Sequence, residues 1–283
     1  MCAEGHAEKE MSPDEWNRVF GEASELGISF ILLAGGEPLM RREIINMAAD
    51  FPNMIFPIFT NGTLLNEEYL DLLTKHRNLI PVFSIEGGEA QTDLRRGEGV
   101  SKNIETEMSK LASNGILFAA SITVTNENLH MVVSENFLTD LRIRGCGAVL
   151  FVEYVPAERG TENLILSDSE TDWLNEQIGN FTSACSDMSV FAFPGDEKYM
   201  GGCLAAGRGF FHISPFGSAE ACPFSPYSKH NMKDNTILEV LESSFFQEIR
   251  EISKVGANQH IGGCTLFNHE NEVRQLLHLS TNL

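Results

Sequence analysis

Basic residues are scarce in this sequence. Twenty lysines and arginines stand against forty aspartates and glutamates, which gives the 283 residues a formal net charge of −20. Such a charge repels phosphate backbones and anionic lipid surfaces, so we expect no nucleic-acid partner. Long apolar runs are also missing, since no stretch approaches the length of a membrane span and no charged-then-apolar leader opens the chain. We therefore expect a cytoplasmic protein with no membrane partner.

Cysteine is the second scarce residue. The six cysteines are too few and too widely spaced for a disulfide scaffold. In a reducing cytosol, cysteines at such spacing are core residues, nucleophiles or metal ligands. We expect Cys146 and Cys185 to be buried, inert thiols.

Short apolar strands that alternate with helices dominate what is present. Each strand ends in a polar loop, and helical apolar spacing fills the intervals, which is typical of parallel βαβ units. The predicted strands cover 28–33, 54–59, 79–85, 116–124 and 148–154. After residue 156 the alternation changes to a helix over 171–185 and a strand over 189–193, so we place a domain boundary near residue 190. Ligands of such sheets bind at the carboxyl ends of the strands.

The loop after the first strand reads Gly35-Gly36-Glu37-Pro38. Glycines let the backbone approach a ligand closely, Glu37 offers an acceptor for an ammonium group, and Pro38 stiffens the exit. This segment resembles the "GGEP" loop of the radical S-adenosylmethionine (radical SAM) superfamily, which contacts the amino group of the methionine part of the cofactor. The resemblance implies that these four residues bind S-adenosylmethionine.

Ser84 and Arg96 carry a second resemblance. Ser84-Ile85-Glu86-Gly87 resembles the "S-[IL]-D-G" segment of radical SAM proteins, with Glu in place of the common Asp, and Arg96-Gly97 resembles the "RG" that follows it. By that resemblance Ser84 bonds the ribose or carboxylate end of S-adenosylmethionine, and Arg96 pairs with its carboxylate. The alternatives are a strand-end hydroxyl and a solvated arginine, with Arg95 competing for the role. Asn61 and Thr123, at other strand ends, are weaker candidates for lining the pocket. Asn126-Glu127-Asn128 resembles the "N..N" of the family and is a candidate of the same kind.

Three cysteines follow the predicted boundary. Cys203 precedes Ile213-Ser214-Pro215-Phe216-Gly217, a predicted hairpin turn that leads to Cys222, and Cys264 follows the next predicted helix. This order resembles the SPASM and twitch extensions, which bind an auxiliary iron–sulfur cluster, and implies Cys203, Cys222 and Cys264 as ligands. The fourth ligand is open: a non-protein group, a substrate atom or a histidine, of which His212, His230, His260 and His269 are near in sequence. Zinc is the competing metal, although the paired C-x2-C knuckles usual for zinc are missing.

The cluster loop C-x3-C-x2-C of radical SAM enzymes is not in this sequence. Only Cys2 stands near its expected place, as the tail of such a loop and a further candidate cluster ligand. Radical SAM chemistry needs that [4Fe–4S] cluster to chelate the methionine group and to deliver the electron that releases the 5′-deoxyadenosyl radical. We therefore expect an N-terminally truncated relative of an enzyme that has the loop.

Together these features predict an α/β protein with two domains. Residues 1–190 would form a partial (β/α)6 TIM-like barrel that lacks its first strand, and residues 191–283 a small iron–sulfur domain. The resemblance implies S-adenosylmethionine and a [4Fe–4S] cluster as cofactors, a peptide or small-molecule substrate for radical modification, and an external electron donor. Two alternatives stay open, a non-catalytic iron–sulfur barrel that binds without turnover and a zinc-stabilised barrel of unrelated function.

Overall fold

The computed structural model describes residues 9–157, 160–194, 202–256 and 264–278. Its α-helices are α1 (Pro13–Glu25), α2 (Arg42–Ala49), α3 (Glu67–Lys75), α4 (Glu89–Arg96), α5 (Val100–Ser113), α6 (Leu129–Val132), α7 (Glu135–Ile143), α8 (Asp168–Ala184), α9 (Ile237–Glu242), α10 (Ser244–Gly256), α11 (Thr265–Asn268) and α12 (Glu270–His278). The strands are β1 (Phe56–Thr60), β2 (Leu79–Ile85), β3 (Ala119–Val124), β4 (Ala148–Glu153), β5 (Ser189–Phe193), β6 (His212–Ile213) and β7 (Ala219–Glu220). Short 3-10 helices cover Pro38–Met40 and Glu162–Leu164.

A parallel sheet with the order β1-β2-β3-β4-β5 organises the larger part of the chain. Helices lie between successive strands in sequence. Buried and half-buried residues alternate along the strands, as they do over the full length of β3 and β4. Phe83, Phe118 and Phe151 are among the largest fully buried side chains of this layer. The predicted α/β class is confirmed, and the sheet is consistent with a partial TIM-like barrel.

The first predicted strand, over 28–33, forms an irregular edge. It runs parallel to β1 through isolated bridges from Phe30 to Ile55 and from Leu33 to Ile58. Among the described residues nothing pairs with its other edge, and the side chains of Phe30 and Leu32 are each 57% exposed. One-sided pairing explains why this apolar run is extended without forming a regular strand.

The fifth regular strand of the sheet is β5, which the sequence analysis placed outside the repeating pattern. Residues 189–193 pair in parallel with β4, from Ala148 opposite Ser189 to Val152 opposite Phe193. The 17-residue helix α8 supplies the crossover that a parallel connection requires. The predicted boundary at residue 190 therefore falls inside a strand of the sheet.

The chain divides into two compact units. One runs from Ile28 to the end of β5, and the other combines α1 with the residues after 202. The domain predicted over residues 1–190 includes α1, whereas in the structure α1 belongs to the second unit. Met11 N, just before the helix, donates to the Pro215 carbonyl at 2.8 Å, and Ile237 N donates to Glu22 Oε2 at 2.9 Å. A capping box formed by Ser12 and Glu15 starts this helix.

The predicted hairpin around Pro215-Phe216-Gly217 is confirmed. β6 and β7 pair antiparallel, with His212 opposite Glu220 and Ile213 opposite Ala219. Gly217 has φ +92°, a left-handed conformation that favours glycine at the turn. Within the part of the chain that the structure covers, no helix is both long and apolar enough to cross a membrane.

Candidate functional site

The glycine loop after residues 28–33 presents open backbone. Gly35 has φ +113°, and no atom lies within 4 Å of the position that a Cβ would take at Gly35 or Gly36. Both glycines are exposed, and Pro38 begins the 3-10 helix Pro38–Met40 that ends the loop. A ligand could therefore approach the amides and carbonyls of this loop without meeting a side chain.

The Glu37 carboxylate accepts three hydrogen bonds within the protein. Its Oε1 accepts from Leu39 N at 3.1 Å and from Thr60 Oγ1 at 2.8 Å, and its Oε2 accepts from Asn61 N at 2.9 Å. These bonds hold the glycine loop against the end of β1. With the carboxylate committed inside the protein, the exposed glycine backbone is the part of the loop best placed to meet an ammonium group, and the ligand contact of Glu37 itself stays a prediction.

Arg96 is held by the carboxylate of Glu86, which follows the end of β2. Arg96 Nη2 and Nε lie 2.6 and 3.0 Å from Glu86 Oε1, and Arg95 Nη1 lies 2.7 Å from Oε2. Glu86 is 5% exposed, while the Arg96 side chain is 24% exposed. An arginine has five N–H donors, so Arg96 keeps Nη1 for a ligand carboxylate while its position is fixed by Glu86.

In the sequence, Glu86 stands out only because it replaces the common Asp of the "S-[IL]-D-G" segment. The structure makes it the anchor of both arginines at the carboxyl edge of the sheet. The signal that could have revealed this is the pair of arginines nine and ten positions downstream, which bring two positive charges to one strand-end carboxylate.

Ser84 lies near the carboxyl end of β2, directly opposite Ser121 of β3. Neighbouring residues in register share a face, so both hydroxyls lie on one side of the sheet. Both serines are half-buried, and neither hydroxyl bonds to another of the described residues. Ser84 therefore has a hydroxyl available at the strand end, as its predicted role requires.

Asn128 fastens the loops after β2 and β3 to each other. Its Nδ2 donates to the Glu86 carbonyl at 3.2 Å and to the Thr123 carbonyl at 2.9 Å, while Oδ1 accepts from Thr125 N at 2.9 Å. Asn126 reaches the Asn163 carbonyl in the loop after β4 at 2.7 Å. Polar side chains thus connect the strand-end loops around one edge. Glu37 bonds to the end of β1, and Glu86 follows the end of the neighbouring strand β2.

The edge combines an open glycine backbone, a serine hydroxyl and partly exposed arginines. Such a set suits a small ligand that carries an ammonium group, hydroxyls and a carboxylate. These are the polar groups of S-adenosylmethionine, so the residues present fit the cofactor that the sequence implied.

Three buried cysteines lie together in the other unit, and we call Cys203, Cys222 and Cys264 the cysteine cluster. They are 2%, 1% and 2% exposed, and no disulfide forms among the cysteines that the structure describes. A hydrogen bond with the Cys264 thiol, followed by burial and the nearby Cys203, raises the pKa of Cys222 far above its ordinary value. The Cys264 thiol is therefore the main partner of Cys222, with Cys203 nearby.

Backbone amides point at two of these sulfurs. Phe224 N–H bonds to the Cys222 sulfur, and Ala205 N lies 3.4 Å from the Cys203 sulfur. Ala206 N also donates to the Ala221 carbonyl at 3.1 Å, which ties the Cys203 loop to the segment that carries Cys222. Amide hydrogen bonds to sulfur are one means by which proteins stabilise and tune iron–sulfur clusters.

The thiols do not form a site for a single ion. Across the described ranges, no three His, Cys, Asp or Glu side chains are grouped so that they could hold one metal ion. In an iron–sulfur cluster, however, each thiolate binds a different iron, so the sulfurs surround the cluster instead of converging on one atom. Buried sulfurs with amide donors fit such a cluster, and zinc stays the competing metal.

The candidate histidines have other surroundings. His212 Nδ1 lies 2.7 Å from Glu220, and His269 Nδ1 lies 2.6 Å from Glu272. Burial lowers the pKa of His230, and its Nδ1 is buried without a hydrogen bond to any described group. His260 and the candidate ligand Cys2 lie outside the described residues.

The two remaining cysteines differ from each other. Cys146 is buried as expected, whereas Cys185 is half-buried at the end of α8. Arg142 Nη1 approaches the Cys185 sulfur at 3.8 Å. Cys185 is therefore more accessible than the sequence analysis expected.

Comparisons with known proteins agree with this arrangement. A model of the radical SAM superfamily matches residues 2–134. The AdoMet-dependent heme synthase of Methanosarcina barkeri is 24% identical over 273 residues, covering 86% of this chain and 76% of the relative. The PqqA peptide cyclase of Rhizobium meliloti is 23% identical over 265 residues, covering 86% of this chain and 69% of the relative.

A solved structure has the same fold. Streptococcus suis SuiB bound to S-adenosylmethionine superposes with a TM-score of 0.70 at 17% identity, covering 89% of this chain. The chain spans 63% of the SuiB chain. Proteins of the radical SAM superfamily bind S-adenosylmethionine and a [4Fe–4S] cluster. The family match over residues 2–134 and these relatives, together with the parallel sheet and its strand-end loops, support a radical SAM superfamily protein.

Proposed function

We propose that this chain binds S-adenosylmethionine at the carboxyl edge of its parallel sheet and carries an auxiliary [4Fe–4S] cluster on the cysteine cluster. We further propose that it serves the radical modification of a peptide. The observation that supports this most directly is the edge itself, where Glu37 and Asn128 fasten successive strand-end loops and Glu86 positions Arg96.

The roles of the residues follow from their surroundings. The exposed backbone at Gly35 and Gly36 binds the ammonium group, the Ser84 hydroxyl bonds a polar group of the cofactor, and Arg96 pairs with its carboxylate. S-adenosylmethionine would supply a carbon radical able to remove a hydrogen atom from a substrate only where a [4Fe–4S] cluster on a C-x3-C-x2-C loop, which is not in this sequence, delivers one electron to it. An external electron donor is required for that chemistry.

A peptide is the preferred substrate class for two reasons. One relative is by name a cyclase of the PqqA peptide. SuiB, which shares the fold, has also been solved bound to its precursor peptide SuiA. Cys2 stays a predicted cluster ligand, and the predicted truncation stays a prediction.

S-adenosylmethionine binding tests the proposal. We expect Arg96→Lys to weaken binding by about 10- to 100-fold, because lysine keeps the charge beside Glu86 but loses the planar fork that pairs with a carboxylate. The measurement is isothermal titration of the full chain with S-adenosylmethionine after anaerobic reconstitution with iron and sulfide.

Arg144→Lys is the matched control. Arg144 pairs with Asp140 at 2.7 Å, and it lies just before β4, at the opposite end of that strand from the site. Equal affinities of wild type and Arg96→Lys would overturn the assignment of the carboxylate partner. Dithionite-dependent formation of 5′-deoxyadenosine would support an enzyme, whereas S-adenosylmethionine binding with one cluster and no deoxyadenosine would support the non-catalytic alternative.

A further inference from the structure

The segment that follows Cys222 is a tight turn closed by Ser225. Ser225 N donates to the Cys222 carbonyl at 2.9 Å, and the two residues form an antiparallel bridge. Pro223 occupies the first central position, where its fixed φ favours a turn. The sequence Cys222-Pro223-Phe224-Ser225 therefore has the spacing C-x2-S.

The bridge determines the direction of the Ser225 side chain. Directly opposed residues of an antiparallel pair have Cβ atoms about 4.5–5.5 Å apart and point to the same face. Ser225 Oγ thus lies on the same side of the turn as Cys222 Sγ, which shares a hydrogen bond with the Cys264 thiol. The hydroxyl is placed beside the cysteine cluster.

The Ser225 hydroxyl is buried and has no partner among the described residues. Ser225 is 1% exposed, and its Oγ makes no hydrogen bond to any group that the structure covers. A buried hydroxyl without a hydrogen bond lowers the stability of the folded protein, so such groups normally have a partner. An inorganic group bound among the three buried thiols would provide the Ser225 hydroxyl with a partner.

The spacing indicates what that group is. C-x2-C is the spacing by which iron–sulfur proteins place two ligands on neighbouring irons. In Cys222-Pro223-Phe224-Ser225 the second ligand position holds a serine. A serine side chain has nearly the same shape as a cysteine side chain, with oxygen in place of sulfur. The cysteine cluster supplies three ligands, and a [4Fe–4S] cluster takes four.

We propose that the Ser225 hydroxyl is the fourth protein ligand of the auxiliary cluster. The inference rests on the cluster site of the proposed function. On binding, the oxygen releases its proton to solvent as the bond from Oγ to iron forms, so the ligand carries the single negative charge that a thiolate would. His230 is the competing ligand, but no contact places its ring beside the thiols.

Iron spectroscopy on the reconstituted full chain tests the proposal. We expect one iron of the wild-type cluster to give a Mössbauer signal distinct from the thiolate-bound irons, and Ser225→Cys to remove that distinction while keeping four irons. Ser225→Ala should lose iron to a chelator about 10- to 100-fold faster than wild type, since a lost metal-site group costs that order of affinity.

Two controls separate the possible failures. Ser228→Ala removes a hydroxyl of the same loop that already bonds to the His230 carbonyl at 2.6 Å, and it should match wild type in both measurements. Cys222→Ala should abolish the auxiliary cluster, and unchanged iron content there would overturn the cluster site itself.

If Cys222→Ala loses the cluster but both Ser225 variants match Ser228→Ala, the site stands and the serine ligand is wrong. A change in the wild-type spectrum on His230→Ala, with none on Ser225→Cys, would likewise overturn the serine in favour of histidine. Because Ser225→Cys keeps the side-chain volume nearly constant, it remains informative if Ser225→Ala does not accumulate as folded protein.

Discussion

Cys146 and Cys185 illustrate how surroundings, rather than residue type, decide the chemistry of a side chain. Cys146 lies in the turn before β4 and is 2% exposed, and burial raises its thiol pKa to about 11. Cys185 ends α8 and is half-buried next to Arg142. The thiolate is the reactive form of cysteine, so the two residues should differ strongly in alkylation.

We expect iodoacetamide at pH 8 to modify Cys185 in the native protein and to leave Cys146 intact. With a pKa near 11, roughly one Cys146 thiol in a thousand is ionised at that pH, and burial further blocks the reagent. Peptide mass spectrometry of the alkylated protein provides the measurement, and alkylation in denaturant, where both residues should react, is the control. Modification of Cys146 at the rate of Cys185 in the native state would contradict this assignment.

At the scale of elements, the site depends on how strand-end loops are fastened. Glu37 joins the glycine loop to β1, and Asn128 joins the loops after β2 and β3. Neither connection involves a regular ladder of strand hydrogen bonds. The loops therefore owe their positions to single polar side chains, each of which satisfies several backbone groups at once.

Asn128→Ala should lower the free energy of unfolding by about 1–3 kcal/mol. The substitution leaves the carbonyls of Glu86 and Thr123 and the amide of Thr125 without their partner. Chemical denaturation measures the loss, and hydrogen exchange should become faster in residues 86–88 and 125–128.

Asn126→Ala is the matched control from the same loop. Its exposed side chain makes one bond, to the Asn163 carbonyl, so we expect a change within about 0.5 kcal/mol. If the two variants were equally stable, Asn128 would not be the element that fastens the loops.

At the scale of the whole molecule, helix α1 belongs to the same unit as the residues after 202, which lie far from it in sequence. Arg18 of α1 donates to the carbonyls of Met232 and Asn235, and Glu22 accepts from the amide of Ile237 at the start of α9. Helix α1 also buries three apolar side chains, those of Val19, Phe20 and Ala23. The N-terminal helix is thus part of the structure that carries the cysteine cluster.

Glu22→Ala should make amide exchange in α9 roughly 5- to 30-fold faster. The variant removes the acceptor of Ile237 N and the partner of Arg18, a loss of about 1–2 kcal/mol for a partly exposed carboxylate. Hydrogen–deuterium exchange by mass spectrometry over residues 232–242 measures it. Glu25→Ala, at an exposed position at the end of α1, should leave exchange in α9 unchanged; an equal effect of both variants would refute the contact.

The sequence by itself determined the local features of this protein. Apolar patterning indicated the positions of β1 to β4. Glycine and proline signals located the strand-end loop and the hairpin turn, and the motif spacing singled out Ser84 and Arg96. These features depend on residues a few positions apart, whose backbone preferences act whatever surrounds them.

Only the tertiary structure decided which distant residues meet. Glu37 bonds to the end of β1 instead of standing open, β5 joins the sheet, and Arg18 reaches a carbonyl 217 positions away. The neighbours of Cys222, including the unpartnered Ser225, follow from the same long-range packing. Periodicity reports which face of an element is apolar but not which partner covers it, because that choice depends on the packing of the complete chain.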